Sequence, residues 1–194
     1  MSVVRVKGGS DIIEDCRTFV KLEGRLLPGQ TYTSRAGRLP CKAVIHAVGP
    51  MWHGGRHQEE NHLYAAVTQS MDEASHRGFT SMAIPAISTG IFGFPANRAV
   101  DIILTASRDY FVESGGTCLK EVHIVDNDVR VMKLFEAQLK QMTLPSGPTG
   151  GQEEDHTQTD GAGTAGRRLR APANGAAAAA AELSDNASDG GLQC

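Results

Sequence analysis

Residues 83–95, A-I-P-A-I-S-T-G-I-F-G-F-P, constrain this chain more than any other stretch. The run from Met82 to Ile87 is apolar and short, the pattern of a strand buried on both faces. It breaks into Ser88, Thr89, Gly90, Ile91, Phe92 and Gly93, and a helical pattern resumes after Pro95. A strand, a loop of small residues and a helix start make an anion-binding geometry. Glycines let backbone N–H groups converge, and the helix start adds positive partial charge. Ser88 and Thr89 offer hydroxyl donors, and Phe92 or Phe94 can cover a flat group. The same residues also read as an ordinary strand-to-helix turn, where a glycine is a common punctuation.

The flanking sequence supplies alternating strands and amphipathic helices. Val3, Val4 and Val6 make a short apolar start compatible with strand or helix. Ser10 or Asp11 can cap a helix whose buried stripe is Ile12, Ile13, Cys16, Phe19 and Val20. Short strands are predicted over residues 30–34 and 42–48, each closed by a Gly- or Pro-containing turn. A helix begins at Glu59 with Leu63, Ala66, Val67, Ser70, Met71 and Ala74 on one face. Ala99, Ile102, Ile103, Ala106 and Tyr110 mark the next helix, residues 121–126 a strand, and Val131, Leu134, Phe135, Leu139 and Met142 the last helix. This alternation means an α/β layered fold. After Leu144 the apolar period gives way to Gly, Ala, Ser, Thr, Pro and charge, with an alanine run at residues 176–181. Such composition offsets little ordering entropy. The expected organisation is a domain over residues 1–144 and a disordered low-complexity tail over 145–194.

Several function classes fall away. The net charge is −3 and the pI about 6.1, so no basic footprint for nucleic acid exists. No apolar run is long enough to span a bilayer, and no membrane association is expected. Cys16, Cys41, Cys118 and Cys194 form no C-x-x-C pair and read as reduced thiols, which points to cytoplasm or nucleus. His53, His57 and His62 lack the companions of a zinc set, so no metal site is expected. His46 alternates with apolar residues in a strand and reads as a packed, hydrogen-bonded imidazole. Asp126 and Asn127 follow a strand, where open α/β sheets bind ligands, although the helix cap at Asn127 or Asp128 is the commoner use. No nucleophile with its base stands out, so no catalytic residue is assigned.

Two stretches resemble signatures of macrodomains, the ADP-ribose-binding module. I-P-A-I-S-T-G-I-F-G-F-P is similar to the family's second phosphate loop. G-R-L-P-C-K-A-V-I-H-A-V-G-P, residues 37–50, is similar to another family signature, in the version found in multi-macrodomain ADP-ribosyltransferases. The likeness runs from about Gly8 to about Met142.

The resemblance implies a three-layer α/β/α fold with a mixed sheet. It also implies recognition of ADP-ribose or an ADP-ribosylated protein, and no cofactor. Ser88, Thr89, Gly90, Ile91, Phe92 and Gly93 would meet the phosphates, and Asp126 and Asn127 would lie beside the adenine. A full macrodomain also begins with strands that have no counterpart here. One carries an N-A-A-N motif and leads into a first glycine-rich phosphate loop; the aspartate that reads the adenine amino group lies upstream too. The resemblance therefore implies an N-terminally truncated domain with weakened binding and a sheet lacking a middle member between the strands at 42–48 and 82–87. Two other readings stay open: an ADP-ribosyl hydrolase, whose family residues are absent, and a non-binding regulatory fragment.

Overall fold

The computed structural model describes residues 3–143 and 179–182. Along the chain run α1 (Val3–Gly8), α2 (Ser10–Glu23), β1 (Thr31–Arg35), β2 (Ala43–Ala47), α3 (Glu59–His76), β3 (Ser81–Ile84), α4 (Ala96–Glu113), β4 (Glu121–Ile124), α5 (Val129–Thr143) and β5 (Ala179–Glu182). The five strands form one mixed sheet in the order β1-β2-β5-β3-β4. β1 is antiparallel to β2, and every other pairing is parallel.

Period-two alternation splits β2 between two cores, because successive side chains point to opposite faces. Ala43, Ile45 and Ala47 join the larger cluster with α3, α4 and α5. Val44 joins Ile12 and Cys16 of α2 on the other face. The result is the expected three-layer α/β fold. α3 buries Leu63, Ala66, Val67, Ser70, Met71 and Ala74, the predicted face. α4 buries Ala99, Ile103, Ala106 and Tyr110 as expected, and adds Val100, Leu104 and Ser107.

Besides β4 ending at Ile124 rather than at residue 126 and Leu134 of α5 standing exposed, the structure departs from the sequence reading in three places. β3 stops at Ile84 rather than Ile87, because Pro85 has no N–H to give the ladder. α2 begins at Ser10, with Gly9 as its N-cap and no side-chain cap hydrogen bond. Gly9 sits at φ 88°, a left-handed conformation that glycine adopts without strain, so the chain turns from α1 into α2 there. Asp11 still falls in the first turn, where the helix dipole favours it.

The third departure concerns the alanine run. Residues 145–178 and 183–194 of the expected tail lie outside the described residues, but Ala179–Glu182 is a strand of the sheet. It stands between β2 and β3, at the position where the middle member was expected to be missing. Val44, Ile45, His46 and Ala47 pair with Ala179, Ala180, Ala181 and Glu182 in turn. The physical reason lies in the neighbours rather than in the run. Buried strand edges carry N–H and C=O groups that each cost roughly 1–3 kcal/mol when unpaired.

Candidate functional site

β3 ends and the loop begins at the carboxyl edge of the sheet, where open α/β sheets place their ligands. Thr89 N–H donates to the Ala86 carbonyl at 3.3 Å, Gly93 N–H to Gly90 at 3.0 Å and Phe94 N–H to Ser88 at 2.9 Å. The Thr89 hydroxyl donates to Ala86 O at 2.7 Å, so it closes the turn and is not an outward donor. Among the described residues, the N–H groups of Gly90, Ile91 and Phe92 donate to no protein acceptor. Three consecutive unspent donors thus stand just ahead of α4, and unpaired N–H groups at a helix start are the kind of donor that favours negative charge. Ile91 is 79% exposed at the crest of the loop, and Phe92 is 8% exposed beneath it.

Ser88 is fully buried with φ 67°, unusual for a residue with a Cβ. Gly49, after β2, explains how it is accommodated. A Cβ on Gly49 would collide with the Ser88 Oγ and with Ile87 Cγ2. The G-P after the β2 strand and the S-T-G after β3 are therefore packed surfaces of one site.

A second loop, residues 51–58, braces the first. Trp52 N–H donates to the Phe92 carbonyl at 2.9 Å. Its ring lies 4.7 Å from that of Phe94, and the Arg98 guanidinium sits 5.6 Å above it. The loop is held by Glu59, a carboxylate only 2% exposed. It accepts the N–H groups of His53 at 3.0 Å, Gly55 at 3.1 Å and His57 at 2.6 Å. Burial pushes the carboxyl up, but these donors and Glu59's own N–H outweigh it and bring its pKa to about 2. Sequence reading recognised Glu59 only as a helix start. Its i−2 to i−6 contacts leave no periodic signal.

Asp126 and Asn127 reach the same edge from β4. The Asp126 carboxylate accepts the N–H of Ala86 at 3.3 Å and of Asp128 at 2.8 Å, so it ties the β3 and β4 ends together. Asp128 caps α5 through the N–H of Arg130 at 2.8 Å. Asn127 is exposed beside it.

A cleft of about 340 Å³ opens on the α2 side, lined by Phe92 of the loop and by Gly49 after β2. Phe19, Tyr32, His46 and Met51 line it with them. It is assembled from five separate segments, so no motif announces it. His46 is buried at its floor, with Nε2 2.9 Å from the Ser34 hydroxyl and 3.6 Å from the Cys16 sulfur. Ser34 Oγ itself donates to the Arg35 carbonyl, so it accepts from His46 Nε2–H, and this is the hydrogen-bonded imidazole the strand pattern predicts. Burial holds its pKa near 4, so the ring is neutral at pH 7.

The fold and this edge define a class. Residues 2–103 match the Macro domain family. The chain is 35% identical over 133 residues to the O-acetyl-ADP-ribose deacetylase of Citrobacter rodentium, covering 69% of this chain and 74% of that protein. It is 42% identical over 142 residues to the human protein mono-ADP-ribosyltransferase PARP14, covering 71% of this chain and 8% of PARP14. The chain thus spans only a small part of that relative. A mutant macrodomain of Oceanobacillus iheyensis, solved with ADPR, shares the fold with a TM-score of 0.67 at 24% identity, covering 73% of this chain and 76% of the other. This chain belongs to the macrodomain family.

Proposed function

We propose that this macrodomain recognises ADP-ribose, free or as a mono-ADP-ribosyl group on a protein. The observation that carries the reading is the row of unspent N–H groups at Gly90, Ile91 and Phe92. A diphosphate seated there accepts all three bonds with the start of α4 behind it. Phe92 packs on a ribose from the wall of the adjoining cleft, and Asn127 stands on the adenine side. Asp126 acts through the backbone at Ala86 rather than by touching the base. The ADPR in the O. iheyensis macrodomain supports this choice of ligand. We expect an affinity weaker than low micromolar, since among the described residues the loop at 88–93 is the one identified row of unspent donors. Calorimetry with ADP-ribose tests both parts. A Kd at or below the low micromolar range refutes the weak-binding part, and no heat at millimolar ligand refutes recognition altogether in favour of a non-binding domain.

A second reading, hydrolysis of an ADP-ribosyl or acetyl-ADP-ribose bond, is favoured by the name of the Citrobacter relative alone. Release of ADP-ribose from a modified protein, or of acetate from O-acetyl-ADP-ribose, separates the two. Turnover by the wild-type chain would replace binding as the function.

A further inference from the structure

The cleft on the α2 side extends well beyond the loop at residues 88–93. Among its described lining residues, Phe92 alone belongs to that loop. Its other walls come from α2, β1, β2 and the segments that follow α2 and β2. These walls are largely apolar and aromatic. Phe19 and Tyr32 stack with ring centroids 4.1 Å apart, and Tyr32 lies 6.0 Å from His46. An apolar cavity of about 150 Å³ holds benzene, so a cleft of about 340 Å³ has room for two fused rings. The floor carries a polar atom with nothing to bind. His46 is 4% exposed, and its Nε2–H is committed to the Ser34 hydroxyl at 2.9 Å. Nδ1 of the neutral ring is therefore a lone-pair acceptor. It is buried and has no hydrogen-bond partner among the described residues. The nearby Tyr32 hydroxyl donates instead to the Asp15 carbonyl at 3.3 Å. A buried acceptor left without a donor is costly. An apolar pocket with one such group has the composition of a small-molecule site, in which a few polar atoms fix orientation.

We propose that this cleft binds a planar aromatic molecule carrying one N–H or O–H donor, with its ring against Phe19, Tyr32 and Phe92 and its donor on His46 Nδ1. The chemistry of the walls sets the class. Aromatic faces favour a flat ring through offset or edge contacts. The spare acceptor favours a ring that donates over one that does not, because a donor-less ring leaves Nδ1 both buried and unpaired. The inference does not rest on the ADP-ribose reading, since the loop at residues 88–93 supplies one wall and none of its unspent N–H groups is used.

The test varies the probe rather than the protein, so folding of a variant is not at issue. The full wild-type chain is titrated with indole and with 2-naphthol. Each is compared with a counterpart of similar shape that has no donor, benzofuran for indole and 2-methoxynaphthalene for 2-naphthol. At least one donor probe should bind saturably, and its counterpart at least about fivefold more weakly. The His46 Nδ1 resonance in nitrogen-15 NMR should move with the donor probe and not with its counterpart. Binding should persist when ADP-ribose is added. Absence of saturable binding by both donor probes, equal affinity for their counterparts, or an unmoved Nδ1 resonance overturns the proposal. Displacement of the probe by ADP-ribose also overturns it, by making the cleft part of the nucleotide's own site. A chain that takes the probe and gives no heat with ADP-ribose supports this inference while refuting the ADP-ribose reading.

Discussion

Gly49 and Ser88 meet at the base of the loop at residues 88–93, and a single added methyl group at Gly49 would collide there. Gly49→Ala places that methyl against the Ser88 Oγ. Overpacking of this kind costs about 1–3 kcal/mol. It should lower both thermal stability and ADP-ribose affinity, read by calorimetric melting and titration. Gly90→Glu makes the complementary test. It sets a carboxylate beside the unspent donors and should abolish ADP-ribose binding while far-UV circular dichroism stays unchanged. Retained affinity would mean that residues 88–93 are only a turn. Glu59 gives a prediction in pH. Its folded pKa, about 2, lies below its ordinary 4.5. Its contribution is therefore complete above pH 4.5 and is lost as pH falls from there through 2. Glu59→Gln should be less stable than wild type at pH 7, and its stability should fall less steeply across that window. Parallel curves in an acid-unfolding series would deny Glu59 this role.

α3 holds the loop at residues 51–58, which in turn reaches the loop at 88–93 through Trp52. Its N-terminus carries Glu59 and its buried face carries Leu63, Val67 and Met71, each fully inaccessible. Leu63→Ala should cost about 2–5 kcal/mol by cavity formation, read as a shifted denaturation midpoint with an unchanged slope. That face was legible in advance because it repeats every three to four residues, and a helix must bury such a stripe whatever it packs against. The α2 stripe was legible for the same reason, although Phe19 and Val20 face a cleft rather than a closed core. The end of β3 was not. Apolar character alone runs on to Ile87, and it took the missing N–H of Pro85 to end the ladder at Ile84.

At the scale of the whole molecule, stability depends on the sheet and on the neutral imidazole beneath it. Burial depresses the His46 pKa from 6.5 to about 4. The unfolded chain therefore binds the proton first. Stability is full above pH 6.5, falls as pH drops toward 4, and this loss amounts to about 3 kcal/mol. His46→Gln should flatten that segment of the stability–pH curve. The sheet makes a further prediction: deleting residues 144–194 removes β5 and leaves the β2 ladder open on one side. A loss of ~2 kcal/mol or more from unpaired backbone should lower Tm by roughly 5 °C. An unshifted Tm would show that β5 contributes nothing.

The amino-acid sequence by itself determined the periodic faces of the helices, the alternation that makes an α/β fold, and the position of the loop at residues 88–93. These are local properties: propensity, spacing and turn chemistry act within a few residues. Only the tertiary structure decided which loop N–H groups remain unspent, that Glu59 holds the neighbouring loop, and that Phe92 and His46 share a cleft. It also decided that Ala179–Glu182 stands in the middle of the sheet. The physical reason is the same throughout. Hydrogen bonds between loops, and the pairing of a patternless strand with an open edge, are settled by which groups are left to satisfy once the periodic elements have packed.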